Sequence, residues 1–382
     1  MSAITGADLP EGYARLPSLT GMRFAAAAMV FMFHAIWLNS FTDQALKHAY
    51  RSVFMTVGYA TVSCFFILSG FVLTISHHPG DRAGLFWRRR FFRVYPDHIL
   101  TFALALGGLS TQAYQYVCNI FLVQNWYPNY GLMISGNPVS WSLSCDAFFY
   151  ACFPALILLA HRVRAEFLWW CAGGAVLVIY GAACIAYFLI PSHPAMPDGE
   201  PVGLYQFWFL FHFPVVRVFE FVLGIIMARI IQTGRWPGIR MTPVVLLFVP
   251  LILLGLRIPH VFDLVALWVV PLALLLPAIA TADIRATASW LRTRVMVRLG
   301  EISLAFYLTH ATTMYFLLLA LRSTLHGTIG GIALLVMSMA AAIAVAWLLY
   351  VLWERPIMRR FSRPRGRRRR AADTGTAARA SI

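Results

Sequence analysis

Long apolar runs separated by short polar segments dominate the pattern of this 382-residue chain. A run of about twenty apolar residues can cross the ~30 Å hydrocarbon core of a membrane as a helix. The pattern therefore predicts an all-α polytopic membrane protein, a bundle of about ten transmembrane helices. The predicted spans are residues 19–38, 53–76, 99–124, 141–160, 167–190, 208–231, 243–257, 263–281, 299–321 and 329–353.

The same pattern divides the chain into three parts. Residues 1–18 are predicted to form a cytoplasmic N-terminal tail, and residues 19–356 the membrane domain. Residues 357–382 are rich in arginine and are predicted to be a cytoplasmic tail without regular structure. Since neither tail resembles a folded domain, we expect any chemistry to take place inside the helix bundle.

Two polar residues, Arg23 and His34, flank the apolar segment FAAAAMVFMF of the first predicted helix. Eleven residues make about three helical turns, so both side chains lie on one face, ~16 Å apart along the axis. Both residue types are unfavourable in lipid, which indicates a functional track that faces the protein interior. The alternative is an arginine at the membrane interface and a histidine that only packs in the bundle.

Composition and charge agree with the membrane assignment. Apolar residues make up 60% of the chain and charged residues 12%, with a mean hydropathy of +0.71. The net charge of +16 invites a nucleic-acid interpretation. However, most Lys and Arg lie in segments that share one side of the membrane, as the positive-inside rule requires. This places both termini in the cytoplasm, so we expect membrane lipid and no nucleic acid as partner. RNA binding by the basic tail is the weaker alternative.

The segment FWRRRFFRVYP contains a second candidate site. Arg90 and Arg93 are three residues apart and share a helix face. Guanidinium groups bind phosphates through paired hydrogen bonds, so with Arg23 these residues would form a cytoplasmic anion site for a phosphorylated ligand. The alternative is that the run only supplies positive charge to a cytoplasmic loop.

The segment NPVSWSLSCDAFFYACFP contains the third candidate site. Ser142 and Asp146 are four residues apart on one helix face, and Trp141 and Tyr150 lie near it. A carboxylate inside a membrane protein needs a partner, and Asp146 could hold the His34 ring in one tautomer. We expect Trp141, Ser142 and Tyr150 to line an acceptor site. The alternative is an ordinary helix start with capping residues.

Other ionisable residues fit less specific roles. Arg217 and Glu220 are expected to form an ion pair within the membrane, and Glu354 to pair with the arginine cluster in a structural role. His310 either faces the cavity of His34 or is a packing histidine. The six cysteines have no ligand-type spacing, so we expect buried thiols, with neither a disulfide framework nor a metal site.

Seven segments, read in order, resemble the acyltransferase-3 family of integral-membrane O-acyltransferases over about residues 15–356. They are LTGMRFAAAAMVFMFHA, CFFILSGFVLT, RRFFRVYP, WSLSCDAFFY, FEFVLG, GEISLAFYLTH and ERP.

The resemblance implies a ten-helix core and transfer of an acyl group, usually acetyl from acetyl-coenzyme A, to a sugar or related hydroxyl. By motif match, Arg23 and His34 correspond to the first-helix pair, and Arg90 and Arg93 to the family's RxxR pair. The family usually has Glu where this chain has Asp146, which is one methylene shorter. The segment WSLSC-x-AFFY also resembles the corresponding segment of relatives that acylate macrolide sugars.

The sequence therefore predicts an O-acyltransferase of a bacterial cytoplasmic membrane. His34 is the expected general base, Asp146 its orienting partner, and acyl-CoA the donor bound by Arg23, Arg90 and Arg93. Acceptor candidates are a glycosylated polyketide, a lipid-linked saccharide and a surface glycan. The main alternative is a secondary transporter or flippase that uses His34, Asp146 and Glu220 as a proton relay. A structural or sensory membrane protein is the third interpretation.

Overall fold

The computed structural model describes residues 16–38, 43–78, 80–105, 112–321, 324–325 and 327–361, and within these ranges the chain is built of α-helices. The helices are α1 Pro17–His34, α2 Gln44–Ile75, α3 Ala83–Ala105, α4 Ala113–Ile120, α5 Tyr130–Met133, α6 Trp141–Arg162, α7 Leu168–Leu189, α8 Leu204–Phe207, α9 Pro214–Gln232, α10 Met241–Gly255, α11 His260–Asp263, α12 Ala266–Ile284, α13 Arg294–Glu301, α14 Ser303–Leu321, α15 Gly327–Leu349 and α16 Arg355–Phe361.

Seven helical segments of the described chain are long and apolar enough to cross a membrane. They correspond to seven of the ten predicted spans, so the all-α polytopic fold is confirmed. The first predicted span matches α1, whose Arg23 and His34 lower its hydropathy, and the seventh matches the short helix α10, Met241–Gly255.

The third predicted span, residues 99–124, is wrong. Helix α3 begins at Ala83, sixteen residues before the predicted start, and ends at Ala105. A separate short helix, α4, follows at Ala113–Ile120. The arginine run lies outside the predicted span because its charges end the apolar pattern, whereas in the structure it forms part of the first turns of α3.

The predicted tails lie mostly outside the described residues. Of the predicted N-terminal tail, only residues 16–18 are described, and α1 already begins at Pro17, a residue that suits the first turn of a helix. Of the predicted basic tail, residues 357–361 belong to helix α16, Arg355–Phe361, which corrects the prediction of an unstructured segment there.

Helices α2 and α9 approach each other closely at two glycines. A Cβ atom on Gly70 would overlap the backbone carbonyl of Phe221, and one on Gly224 would overlap the carbonyl of Ile67. Small residues of this kind let two membrane helices approach backbone to backbone. The contact fixes α2, which supplies one wall of the site described below.

Replacing Gly224 with alanine should therefore destabilise the protein by about 1–3 kcal/mol, because the added methyl group meets rigid backbone. Thermal unfolding of the purified protein in detergent measures the effect. Gly173→Ala on α7 is the matched control, since nothing lies within 4 Å of the added methyl group there. Equal melting temperatures for the two variants would contradict this account of the α2–α9 contact.

Helix α1 occupies a central position, in contact with α2, α12, α13 and α14. Its buried residues belong to three apolar clusters, the second of which joins α1 to α14 and α15. Arg23 and His34 are both half-buried. The prediction that this face of α1 is turned toward the protein interior agrees with these contacts.

Candidate active site

A cavity lies among α1, α2, α3, α6 and α14 and contains about 940 Å³ of empty space, part of it open to the outside. Its polar lining residues are Arg23, Ser69, Arg90, Arg93, Ser142, Asp146, Tyr150, Ser303 and Tyr307.

Six of the eight predicted site residues line this cavity, although they come from three separate sequence segments. They are Arg23, Arg90, Arg93, Ser142, Asp146 and Tyr150. His34 and Trp141 are not among the described residues that line it. We call this space the arginine cavity.

Two of the three arginines of the cavity are held by different partners. The guanidinium of Arg90 lies over the Phe86 ring, 5.7 Å from its centroid. Arg93 forms an ion pair with Glu354, whose side chain is 1% exposed and which lies in the π-helical turn Tyr350–Glu354. The expected pairing of Glu354 with the arginine cluster is thus confirmed. Its role is more specific than predicted, because it fixes a cavity residue.

Asp146 lies on the same cavity as the arginines and interacts electrostatically with Arg23 and Arg90. One turn further along α6, Tyr150 also lines the cavity, as does Ser69 of α2. The described lining contains three guanidinium groups and one carboxylate, while Glu354 and Asp97 interact with Arg93 from outside the lining. An anionic ligand suits such a lining, because it would complete the coordination of the guanidinium groups.

Ser142 and Tyr307 meet across the cavity, where α6 faces α14. Their hydroxyl groups are 2.9 Å apart and form a hydrogen bond. Both side chains are buried, and both belong to the cavity lining. Sequence reasoning missed Tyr307, but a signal existed, since it lies three residues before His310 and so shares its helix face.

His34 and His310 form a hydrogen-bonded pair beside the arginine cavity. The Nε2 atom of His310 lies 2.9 Å from Nδ1 of His34. The Nδ1 atom of His310 lies 2.7 Å from the carbonyl oxygen of Tyr307. The His310 side chain is fully buried, while His34 is half-buried. Of the two interpretations of His310, the structure therefore favours the one that places it with His34.

The hydrogen bonds determine the tautomers of the two neutral rings. A carbonyl oxygen only accepts, so Nδ1 of His310 must carry the proton and its Nε2 must accept. Nδ1 of His34 must then donate to that nitrogen, which leaves the lone pair of His34 on Nε2. An imidazole held in this way is prepared to accept a proton at Nε2.

Asp146 was expected to orient His34, but the residue that bonds to the His34 ring is His310. The described electrostatic interactions of Asp146 include those with Arg23 and Arg90. The shorter aspartate side chain thus belongs to the charge balance of the cavity. Sequence spacing could not reveal the His34–His310 pair, since the two residues are 276 positions apart.

Two further predicted groups lie elsewhere in the bundle. Trp141 packs against His212, with ring centroids 4.3 Å apart, and against Phe211. Arg217 and Glu220 form the predicted ion pair at 3.1 Å, and both side chains are almost completely buried. These residues support the α6–α9 side of the bundle.

Comparisons with known proteins agree with this geometry. The acyltransferase-3 family, described as an acyltransferase domain, matches residues 16–351. Acyltransferase MdmB of Streptomyces mycarofaciens is 37% identical over 379 residues, covering 94% of this chain and 95% of the relative. "Putative O-acetyltransferase SACOL0978" of Staphylococcus aureus (strain COL) is 24% identical over 215 residues, covering 50% of this chain and 33% of the relative. No solved structure matches the chain.

Proposed function

The chain belongs to the acyltransferase-3 family and is an acyltransferase, and we propose that it transfers an acyl group, with acetyl as the first candidate, from acyl-CoA to a hydroxyl group. The acceptor is a carbohydrate or a glycosylated natural product. The observation that carries the proposal is the arginine cavity, which lies directly beside the histidine pair. The staphylococcal relative supports acetyl transfer to oxygen, since its name describes an O-acetyltransferase.

The arginine cavity is the proposed donor site. Coenzyme A carries several phosphate groups, and the guanidinium groups of Arg23, Arg90 and Arg93 supply donors that match them. Arg23 and His34 are ~16 Å apart along α1, a distance comparable to an extended pantetheine arm. A donor whose phosphates bind at the arginines would thus direct its thioester toward His34.

His34 is the proposed general base. Its Nε2 atom accepts the proton of the acceptor hydroxyl as the oxygen attacks the thioester carbonyl. The tetrahedral intermediate collapses with loss of the CoA thiolate, which takes up the proton from the His34 imidazolium. His310 keeps Nδ1 of His34 protonated throughout, so that Nε2 faces the reacting groups. The mechanism needs no serine nucleophile. The same arrangement would also allow a variant in which His34 first takes up the acyl group as an acyl-histidine intermediate.

The membrane topology is part of the proposal. The multi-pass chain is proposed to reside in a bacterial cytoplasmic membrane with both termini in the cytoplasm, as the distribution of Lys and Arg indicates. The arginine cavity would then open toward the cytoplasm, where acyl-CoA is made. The acceptor would reach His34 from another direction.

The transporter alternative loses its physical basis in the described structure. Glu220 is ion-paired with Arg217, while His34 is bonded to His310. Asp146 interacts with the arginines of the cavity. The three members of the supposed proton relay thus belong to three separate clusters. Family membership as an acyltransferase points the same way.

Equilibrium binding of labelled acetyl-CoA to purified protein tests the donor assignment. We expect saturable binding that unlabelled CoA displaces, and transfer of the label to a saccharide acceptor. Mass spectrometry of metabolites and envelope glycans from a deletion strain identifies candidates for that acceptor. Absence of specific acetyl-CoA binding by folded protein would contradict the proposal.

A further inference from the structure

The arginine cavity and the histidine pair are adjacent but separated. His34 and His310 are not among the described residues that line the cavity. Nevertheless Tyr307 belongs to both sites, since it lines the cavity and its carbonyl accepts a hydrogen bond from Nδ1 of His310. A thioester bound in the cavity is thus close to the base without access to it.

The separation is a small apolar wall. Val30, one turn before His34 on α1, is only 2% exposed. It packs in one cluster with Leu143 of α6 and Tyr307 of α14, and the half-buried Phe65 of α2 packs against that cluster. Leu143, Phe65 and Tyr307 are at the same time lining residues of the cavity. The wall therefore has the cavity on one side and the turn that carries His34 on the other.

One hydrogen bond holds the movable part of this wall. The Tyr307 hydroxyl bonds to Ser142 at 2.9 Å, which ties α14 to α6 across the cavity. Ring and hydroxyl can turn about the side-chain torsions of Tyr307, whereas its carbonyl, which anchors His310, stays with the helix backbone. The wall can open without disturbing the histidine pair.

We propose that Tyr307 is a positioning residue that gates the path of the acyl group, with its bond to Ser142 as the latch. The inference rests on the proposed function, because the arriving group is taken to be the acyl end of acyl-CoA. The acyl chain reaches His34 when the Tyr307 ring turns away from Ser142. Until then the wall separates the His34 base from the thioester and the water of the open cavity, and so suppresses base-assisted hydrolysis of the thioester.

Bromoacetyl-CoA tests the gate without requiring transfer. Nε2 of His34 attacks the bromomethyl carbon, a nitrogen–carbon bond forms and bromide leaves, so that the adduct remains on His34. Peptide mass spectrometry measures the rate of this labelling separately from any reaction at the six free cysteines. The reagent carries the phosphates of CoA, so it approaches through the donor site.

Tyr307→Phe and Ser142→Ala each remove the latch and keep the packing of the wall. Each should accelerate labelling of His34 by about five-fold, as expected for the loss of one buried neutral hydrogen bond. The double variant should be no faster than either single variant, because both changes remove the same bond. Tyr307→Ala, which removes the ring, should label fastest.

Ser338→Ala on α15 is the matched control, a fully buried serine of the described core outside both sites. Its labelling rate should stay within about two-fold of wild type, and all variants are compared at saturating bromoacetyl-CoA, so that differences in donor affinity do not enter the rates. Equal or slower labelling in Tyr307→Phe and Ser142→Ala, with normal acetyl-CoA binding, would overturn the gate. If instead the proposed function is wrong, the wild-type protein itself will not bind acetyl-CoA.

Discussion

Replacing His34 with alanine should reduce acyl transfer by about 10²–10⁴-fold, the range that a general base contributes. The variant removes the only atom that the proposal assigns to the acceptor proton, Nε2 of His34. Because the side chain is only half-buried, the fold should survive. The measurement is the initial rate of label transfer from acetyl-CoA, with size-exclusion chromatography in detergent as the check of folding.

Two further histidines make this experiment specific. His310→Ala should cost less activity than His34→Ala, because it removes the orientation of the base and leaves the base itself. His48→Ala, an exposed residue of α2, should behave like wild type. Near-wild-type transfer by the His34 variant would remove His34 from the reaction.

Replacing Arg90 with glutamine should weaken acetyl-CoA binding by about 10–100-fold, since a hydrogen bond to a charged group contributes about 1.5–3 kcal/mol. Arg90 lines the cavity and has its cationic group over the Phe86 ring. The affinity is measured by titration of the purified protein with labelled acetyl-CoA. The effect should shrink at high salt, as screening predicts for a polyanionic ligand.

Arg89→Gln is the matched control for this change. Arg89 is the neighbouring residue of α3, but it pairs with Asp81 at 3.3 Å and is not among the described residues that line the cavity. Its replacement should leave the affinity within about two-fold. Equal losses for both variants would show that general positive charge, rather than the cavity, binds the donor.

Arg93 needs a different design, because its partner Glu354 is buried. Removing one member of a buried ion pair leaves an uncompensated charge and destabilises a protein by about 3–5 kcal/mol. The double variant Arg93→Gln with Glu354→Gln keeps the charge balance and isolates the effect on binding. It should bind acetyl-CoA more weakly than Glu354→Gln alone.

The fold could be predicted from the sequence wherever a transmembrane helix corresponds to one long apolar run. Helices α2, α6 and α7 follow from uninterrupted apolar runs, which only a helix can bury in a membrane. The prediction failed at α3 because charged residues interrupt its apolar run. Its first half contains Arg88, Arg89, Arg90 and Arg93, and hydropathy treats such a run as a loop even where it forms a helix beside a cavity.

The site was predictable where its residues are close in sequence. The face shared by Arg23 and His34, the Arg90–Arg93 spacing and the Ser142–Asp146 spacing follow from helix geometry alone. The partners of these residues could not be predicted. His310, Tyr307 and Glu354 come from α14 and the turn after α15, and only the packing of those helices against α1 and α3 brings them to the site.

A structure of the protein with a non-hydrolysable acetyl-CoA analogue, determined by electron cryomicroscopy, tests the central claim most directly. The account predicts phosphate groups in contact with Arg23, Arg90 and Arg93, a displaced Tyr307 ring and the acyl carbon next to Nε2 of His34. Phosphates bound away from the arginine cavity, or an acyl group that ends in a region remote from His34, would contradict it.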